Sequence, residues 1–288
     1  METRNHHIQA NGLNHVVDDF GDIDAPPALL LHGFPDSRLV WQQLTPLLVE
    51  GGFRVIAPDL RGFGDTDMAS SKKDYEINVG AIPDMLALIS EMKIAPVHIV
   101  GHDFGAPVAW GLASQNPTLT RSLTALSVGR ARAFLQAGSE QKIRSWYILM
   151  HQVPWLCESL YQAVNWAVLR HNWSGLGDID KTIALLARPG RLKAALDWYR
   201  SNLSVARMLN PPPFGAYGEE VVKVPTLGIW SDSDPYLTEA QMTLSKQYVE
   251  APWRFERLAN TGHWLQCDAP EELTALLLRH WLAVDSKN

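Results

Sequence analysis

The stretch Val97-His-Ile-Val-Gly-His-Asp-Phe-Gly-Ala106 decides the fold of this chain. Its apolar beginning, its glycines and the helical spacing that follows predict a strand, a tight turn and a helix. Gly101 and Gly105 stand two residues before and after Asp103, so the motif is Gly-x-Asp-x-Gly. A sharp turn of this kind presents its central residue as a nucleophile, and here an aspartate replaces the more common serine.

A carboxylate nucleophile determines which bonds the site can cleave. Attack of a serine on an sp³ carbon would leave an ether, which water does not readily cleave. Attack of Asp103 would leave an ester, which a base-activated water can hydrolyse at the carboxyl carbon. Asp103 therefore predicts hydrolysis of an epoxide or of a carbon–halogen bond rather than of a carboxylic ester.

The composition suits a folded globular protein and argues against several partners. The 288 residues are 46% hydrophobic and 19% charged, and no apolar run approaches the length of a membrane span. The net charge of −6 argues against nucleic acid as a partner. Cys157 and Cys267 have no metal-like spacing, and the first residues lack the apolar stretch of a signal peptide. We therefore expect no metal and a cytoplasmic location.

Short apolar runs alternate with helical stretches, which predicts an α/β fold with a mostly parallel sheet. Stretches around Ile8 and Val16 predict an antiparallel start to that sheet, and Ile77–Met92 and Pro270–Leu282 have the spacing of helices. The remaining predicted strands are Ala28–Leu31, Arg54–Ala57, Val97–Val100, Leu123–Val128, Thr226–Trp230 and Arg254–Leu258.

The pattern changes between Arg130 and Tyr217. No clear strand is predicted there, and Trp, Tyr, Leu and Ala recur at helical spacing. We expect an all-helical cap over 130–217, inserted after the sixth strand. The core would then consist of 1–129, which carries the nucleophile, and 218–288, which carries the acid and base loops.

The nucleophile needs a base and an acid that orients the base. His263, in Asn260-Thr-Gly-His-Trp264, follows the last predicted strand, and the chain order nucleophile, acid, histidine makes it the base. Asp232 and Asp234 both follow the strand Thr226–Trp230. Asp234 stands just before the next helix and is preferred as the orienting acid. Asp232 would support the loop, and a share in the acid role stays open for it.

Backbone amides are expected to stabilise the oxyanion that forms during ester hydrolysis. One is the amide of Phe104, directly after the nucleophile. The other is the amide of Phe34 in His32-Gly-Phe-Pro35, at the end of the strand Ala28–Leu31. Gly33 permits unusual backbone angles at that turn.

Four motifs together resemble the epoxide hydrolases of the α/β-hydrolase superfamily, and the resemblance runs from about Leu29 to Trp281. The motifs are His32-Gly-Phe-Pro-Asp36, Asp59-Leu-Arg-Gly-Phe-Gly-Asp65, Gly101-His-Asp-Phe-Gly105 and Thr261-Gly-His-Trp264. The resemblance implies an α/β-hydrolase fold with eight strands and a hydrolase acting on ether bonds. It also implies an epoxide opened to a vicinal diol through an alkyl-aspartyl ester, without a cofactor.

In that family two cap tyrosines hold the epoxide oxygen and donate a proton as the ring opens. Trp146-Tyr-Ile148 and Asp197-Trp-Tyr-Arg200 are similar to their surroundings, so Tyr147 and Tyr199 are the expected proton donors. The other aromatic hydroxyls of this region are interpreted as packing residues: Tyr161, Tyr217 and Tyr236.

A largely apolar pocket is expected, which favours an apolar small-molecule epoxide as substrate. Its predicted walls, besides Phe34, are Trp41, Trp146, Met150, Trp155 and Trp166. The oligomeric state, a homodimer included, stays open.

Haloalkane or haloacid dehalogenases, which use the same aspartate nucleophile, are the alternative. Haloalkane dehalogenases typically have Asn at the position of Phe34 and Trp at that of Phe104, and both side chains hold halide. Fluoroacetate dehalogenases carry arginines just after the nucleophile, where this chain has Phe104 and Pro107. A small-molecule receptor on a hydrolase scaffold is a further alternative, which a turnover assay would distinguish.

Overall fold

The computed structural model describes residues 2–173, 177–210 and 221–286. Eight strands form one sheet in the order β1-β2-β4-β3-β5-β6-β7-β8. Their bounds are β1 (Thr3–Ala10), β2 (Leu13–Phe20), β3 (Pro27–Leu31), β4 (Arg54–Pro58), β5 (Val97–His102), β6 (Thr120–Leu126), β7 (Thr226–Ser231) and β8 (Trp253–Leu258). Strand β2 pairs antiparallel with β1 and β4, and every other pairing is parallel. This confirms the predicted eight-stranded, mostly parallel sheet.

Helices cover both faces of the sheet and fill the interval between β6 and β7. The first group is α1 (Leu44–Glu50), α2 (Ile82–Glu91) and α3 (Gly105–Gln115). The second is α4 (Ala131–Gln136), α5 (Gly138–Arg144), α6 (Trp146–His151), α7 (Leu156–Gln162), α8 (Ala167–Asn172), α9 (Ile179–Leu186), α10 (Arg191–Asn202) and α11 (Val205–Leu209). The last is α12 (Glu239–Thr243), α13 (Leu265–Asp268) and α14 (Pro270–Asp285).

We call α4 to α11 the cap helices. The described residues between β6 and β7 form helices and turns and contain no named strand, as the spacing of their apolar residues predicts. The end of the predicted cap, with Tyr217, lies outside the described residues. Several element boundaries differ from the prediction by one to three residues, and two of the differences have a local cause. The helix predicted over Ile77–Met92 begins with a π-helical turn, Ile77–Ala81, and β6 ends at Leu126 because Ser127 has a positive φ of 62°.

The sheet separates two apolar clusters. One lies between the sheet, α2, α3 and the cap helices, and includes Phe34, Phe104 and Trp198. The other lies on the opposite face, under α1 and α14, and includes Trp41 and Trp281. Because the central strands are buried on both faces, their side chains are apolar almost throughout, which explains why they appear in the sequence as continuous apolar runs.

Candidate active site

Asp103 lies on the turn between β5 and α3, with φ at +49°. Residues other than glycine rarely adopt this left-handed conformation, which is found at sites where the surrounding packing enforces it. The packing is tight here. A Cβ on Gly101 would stand 2.3 Å from the carbonyl oxygen of Gly105, and a Cβ on Gly105 would stand 2.0 Å from that of Leu31. The two glycines therefore let the strand reverse into the helix with the carboxylate at its tip.

The two oxygens of Asp103 have different partners. The amide of Phe34 donates a hydrogen bond of 2.7 Å to Oδ1. Oδ2 lies 3.8 Å from Nε2 of His263. Phe34 is positioned by the turn after β3, where the Phe34-Pro35 peptide bond is cis. The structure thus brings together three of the predicted residues from the carboxyl ends of the parallel strands β3, β5 and β8, the edge at which open α/β sheets place their sites.

His263 is held by Asp234. Its Nδ1 is 2.8 Å from Oδ2 of Asp234, and since a carboxylate only accepts, Nδ1 is the donor. Oδ1 of Asp234 accepts from the amides of Tyr236 and Leu237, at 2.8 and 3.0 Å. Asp232 instead accepts from the amide of Asn260 at 2.8 Å and so joins the two loops. The geometry therefore pairs Asp234 with the histidine and gives Asp232 the supporting position.

The charges of this group depend on one another. Burial opposes the charged form of His263, but Asp234 and Asp103 outweigh it and raise the pKa of the imidazole to about 10. Burial likewise opposes ionisation of Asp103, but the hydrogen bond and charge of His263 lower the pKa of that carboxyl overall. Without substrate, Asp103 and His263 are therefore an ion pair near neutral pH.

Two supporting side chains were not predicted from the sequence. The carbonyl of His263 accepts from Nε2 of His102 at 2.9 Å and from Oγ of Ser127 at 3.1 Å. Burial lowers the pKa of His102 to about 3, so its ring stays neutral and Nε2 is the donor to that carbonyl. His102 could have been found, because it stands beside the nucleophile at the end of a buried strand. Ser127 follows β6 and carries no comparable signal.

A second link joins the Phe34 turn to the histidine loop. Asp36, in the same motif as Phe34, accepts a hydrogen bond of 3.1 Å from the indole N–H of Trp264. Burial raises the pKa of Asp36 to about 8. This contact fixes the turn that carries Phe34 and the loop that carries His263 relative to each other.

Tyr147 on α6 and Tyr199 on α10 line the same cavity as Asp103, with ring centroids 6.1 Å apart. The ring of Tyr199 lies 4.7 Å from that of Phe104 and 5.2 Å from that of Phe34. Burial, and then the charge of Asp103, raises the pKa of both phenols well above the usual range. Both hydroxyls therefore remain protonated beside the carboxylate.

The other tyrosines of this region use their hydroxyls to hold the structure. The hydroxyl of Tyr161 lies 2.6 Å from Nε2 of His151, and that of Tyr236 donates to the carbonyl of Asn172. Within residues 2–173, 177–210 and 221–286, the hydroxyls of Tyr147 and Tyr199 have no hydrogen-bond partner. The two predicted proton donors therefore differ from their neighbours in being available to a ligand.

Contacts with the core hold α10, and with it Tyr199. The indole of Trp198 donates to the carbonyl of Arg61 at 3.1 Å. Arg200 makes a two-pronged ion pair with Glu158 and donates to the carbonyl of His151 at 2.9 Å. The residues on either side of Tyr199 thus fix its position by buried or half-buried polar contacts.

A cavity of about 230 Å³ is lined by Asp103, Phe104, Tyr147 and Tyr199. The structure corrects the predicted walls, because neither Phe34 nor any other predicted wall residue lines this cavity; the others are Trp41, Trp146, Met150, Trp155 and Trp166. Trp41 is buried under the opposite face of the sheet. Trp146 is 54% exposed because α6 turns Tyr147 and Ile148 inward, and Trp155, which precedes α7, is 84% exposed. Met150 and Trp166 pack within the apolar cluster.

The described part of the chain contains no group of three or more His, Cys, Asp or Glu arranged to hold a metal ion. Nor is any of its helices long and apolar enough to cross a bilayer.

Comparison with known families gives a match to the alpha/beta hydrolase fold over residues 26–270. The chain therefore belongs to the α/β-hydrolase family, in agreement with its sheet order and with Asp103 on the turn after β5. The match spans both core segments and the cap helices.

Individual relatives carry a narrower name. The chain is 27% identical to "Epoxide hydrolase 4" of Homo sapiens, over 94% of this chain and 76% of that protein. It is 27% identical to "Epoxide hydrolase A" of Mycobacterium tuberculosis, over 94% and 95%. Among solved structures, epoxide hydrolase A of Mycobacterium thermoresistibile superposes with a TM-score of 0.83 at 22% identity, covering 98% of both chains. An epoxide hydrolase of Bacillus megaterium gives 0.84 at 24% identity, over 96% of this chain and all of that one.

Replacing Gly101 with alanine should distort the turn that carries Asp103. The added Cβ would stand 2.3 Å from the carbonyl oxygen of Gly105, so the backbone must move. Such overpacking typically costs about 1–3 kcal/mol. We expect a lower midpoint of thermal unfolding and loss of turnover. Gly177→Ala is the control, since its Cβ would meet Cys267 at an ordinary 3.5 Å. Equal stability of the two variants would contradict the tight packing of the turn.

Proposed function

We propose that this protein is an epoxide hydrolase that opens an epoxide to a vicinal diol through a covalent ester on Asp103. One observation carries the proposal: an aspartate, and not a serine, stands on the turn beside the His263–Asp234 pair, under two tyrosines whose hydroxyls are unbonded within the described residues. The names of the relatives support the same substrate class.

In the first step the ionised Asp103 attacks a ring carbon of the epoxide. Oδ1 is bonded to the amide of Phe34, which leaves Oδ2 to form the new bond. The ring C–O bond breaks, and its electron pair goes to the epoxide oxygen. An alkoxide is a strong base, so a donor placed where this charge develops lowers the barrier. Tyr147 and Tyr199 supply that proton, and the proton held by His263 finally replaces it.

Formation of the ester changes the base. Asp103 is then neutral, so the charge and hydrogen bond that raise the pKa of His263 are lost, while Asp234 still orients the ring. The neutral imidazole accepts a proton from water, whose oxygen attacks the carboxyl carbon. The oxyanion forms at Oδ1, where the amides of Phe34 and Phe104 would each contribute about 3 kcal/mol. Collapse breaks the bond between the carboxyl carbon and Oδ2. The diol oxygen takes one proton of the water and the other remains on His263, which restores the carboxylate and the imidazolium.

Replacement of His263 with glutamine should stop the reaction at the ester. The ionised Asp103 does not need a base to attack, most clearly at alkaline pH, but ester hydrolysis does need one. We expect about one epoxide consumed per protein molecule and an intact mass increased by the whole epoxide, with the label on the peptide containing Asp103.

The controls are Asp103→Asn, which should take up no label, and His171→Gln, an exposed histidine whose loss should leave turnover intact. A haloalkane would add only its alkyl group, so the same measurement tests the dehalogenase alternative. A label on another residue would sink the covalent mechanism.

Loss of the two tyrosine hydroxyls should slow ring opening and spare ester hydrolysis. Tyr147→Phe and Tyr199→Phe should each have a modest effect, since either phenol can donate. The double variant should lose roughly 10²–10⁴ in the alkylation rate, measured by stopped-flow tryptophan fluorescence. Tyr161→Phe is the matched control, because the hydroxyl of Tyr161 already contacts His151. Wild-type alkylation in the double variant would show that other groups protonate the epoxide oxygen.

The pKa of His263 should fall when Asp103 is replaced with asparagine. The carboxylate of Asp103 raises the imidazole pKa, so its removal should bring the value well below about 10, followed by NMR titration of the ring protons. A raised folded-state pKa stabilises the folded protein fully below about 6.5, the unfolded value, and this contribution disappears as the pH rises towards 10. The stability of the variant should therefore depend less on pH in this window. An unchanged imidazole pKa would contradict the ion pair.

A further inference from the structure

The cavity at Asp103 extends away from the carboxylate along one face of α3. Four residues spaced three or four apart, and therefore on the same side of the helix, line it: Phe104, Pro107, Gly111 and Gln115. From Gly105 to Gln115, at 1.5 Å per residue, the helix spans roughly 15 Å. A ligand bound at Asp103 therefore has room for a long substituent in this direction, which we call the open arm.

The open arm presents apolar side chains from several cap helices. They include Ile148 from α6, Phe134 and Leu135 from α4, Leu203 at the end of α10 and Met208 from α11. A hydrocarbon chain in contact with these side chains is removed from water, which favours its binding.

The two tyrosines of the site also contact a set of rings outside this cavity. Four buried rings form this set, which we call the aromatic cluster: Phe34, His151, Tyr161 and Trp173. The ring of Tyr199 lies 4.2 Å from that of His151, and the ring of Tyr147 lies 5.7 Å from it, between centroids. None of the four lines the cavity, whereas both tyrosines do. Tyr147 and Tyr199 therefore stand between the open arm and a space filled with rings.

The aromatic cluster is closely packed. The ring centroid of Phe34 lies 5.5 Å from that of His151 and 5.8 Å from that of Trp173, and the rings of Tyr161 and Trp173 are 5.5 Å apart. These separations are those of aromatic rings in contact. The most exposed member, Trp173, has only 4% of its surface accessible. The cluster therefore leaves no room for a ligand group among its rings.

Hydrogen bonds hold the cluster in place. The hydroxyl of Tyr161 lies 2.6 Å from Nε2 of His151, and the carbonyl of His151 accepts from Nε of Arg200 at 2.9 Å. Phe34 is fixed through its backbone, because its amide donates to Asp103. The rings of His151, Tyr161 and Phe34 cannot swing aside without disturbing these contacts, so the boundary behind the tyrosines is a firm one.

An epoxide ring can carry substituents on both of its carbons, and these point in opposite directions along the ring C–C bond. When the ring lies at Oδ2 of Asp103 with its oxygen at Tyr147 and Tyr199, one substituent can enter the open arm. A substituent on the other carbon is then directed away from the arm, where the aromatic cluster lies.

We propose that this site takes terminal epoxides with one long apolar substituent and excludes epoxides substituted on both carbons, because the aromatic cluster occupies the space of the second substituent. The inference rests on the proposed epoxide hydrolysis and specifies its substrate class. His151 is the member of the cluster that contacts both tyrosines, and it is the residue that determines this specificity.

The probes are three isomeric epoxyoctanes: the terminal one, the trans isomer with a methyl and a pentyl substituent, and the trans isomer with two propyl substituents. The wild type should turn over the terminal isomer with the highest kcat/KM. Forcing an extra group into a packed space costs about 1–3 kcal/mol, so each internal isomer should be roughly 5- to 150-fold poorer. Among terminal epoxides, each added CH₂ should raise kcat/KM by up to about 4-fold as the arm fills.

Internal epoxides also differ from terminal ones in intrinsic reactivity, so the deciding quantity is how variants change the ratio of internal to terminal turnover. His151→Ala removes a ring next to the tyrosines and should raise this ratio roughly 5- to 150-fold for the methyl-substituted isomer. The dipropyl isomer, whose second substituent is larger, should gain less.

His151→Phe is the matched control, because it retains a ring and removes the imidazole nitrogens. It should keep the ratio of the wild type, which separates exclusion by volume from a polar role of His151. Ile183→Ala shortens another buried cap residue, on α9 and outside the aromatic cluster, and should also keep that ratio.

An unchanged ratio in His151→Ala, or equal turnover of the three isomers by the wild type, would overturn the exclusion and leave epoxide hydrolysis standing. An equal rise of the ratio in His151→Ala and Ile183→Ala would also overturn it, since the effect would then come from a loosened cap.

If no epoxide is turned over, the proposed function fails, and calorimetry on the wild type tests the site alone. Octanamide and N-butylbutanamide are isomers whose carbonyl can accept from the tyrosine hydroxyls, but only the second carries an alkyl group on both sides. Octanamide should bind at least about 5-fold more tightly, by the same packing cost. Equal binding, tighter binding of N-butylbutanamide or binding of neither compound would overturn the proposal. The same measurement decides the question if His151→Ala does not fold.

Discussion

The charge on His263 is the interaction on which the rest of the site depends. The imidazole stands between two carboxylates, 2.8 Å from Asp234 and 3.8 Å from Asp103. His263 is buried and the side chain of Asp103 is only 14% exposed, and burial alone would favour the neutral form of both. Together they stabilise one another's charges. The charge of His263 thereby keeps Asp103 ionised, as the proposed nucleophilic attack requires.

The two carboxylates differ in their other hydrogen bonds, and this assigns their roles. Asp234 accepts from two backbone amides as well as from His263, so its position does not depend on the state of the substrate. Asp103 accepts one amide hydrogen bond, at Oδ1, and its Oδ2 borders the cavity. In the proposed reaction, His263 keeps Asp234 as its partner throughout, whereas the charge of Asp103 is lost when the ester forms. The basicity of the imidazole therefore changes as the reaction proceeds.

The parts of the site that the sequence predicted belong to rigid turns at strand ends. Asp103, His263 and Asp234 follow buried strands, and their order along the chain restricts how they can meet. The choice of Asp234 over Asp232, which residue order could only favour, is explained by the orientation of each carboxylate towards a different loop. Ser127 was missed because its contact is with a backbone carbonyl, which leaves no mark on residue type. His102 was missed although its place beside Asp103 at the end of a buried strand was a usable signal.

The residues predicted to form the pocket walls show where prediction from residue type fails. Tryptophans were expected at the pocket because they are large and apolar, yet their positions follow from the rotation of short helices. On α6, one turn places Tyr147 and Ile148 inward and leaves Trp146 outside. A six-residue helix offers too few positions for its apolar face to be read from spacing alone. The residues that do line the cavity come from α3, from α4 and from the end of α10, elements whose neighbours are known only once the chain is folded.

The loops at the strand ends and the cap helices contribute different parts of the site. Asp103, His263 and Asp234 lie on loops at strand ends, so their geometry depends little on the sequence of the cap helices. Tyr147 and Tyr199 lie on the cap helices α6 and α10, and the rest of the cavity is lined mostly by short cap helices and by one face of α3. Under the proposed function, substitutions on these helices change which epoxide binds without moving Asp103. Substrate choice would then depend on the cap and on one face of α3, whereas the reaction type would depend on the turn after β5.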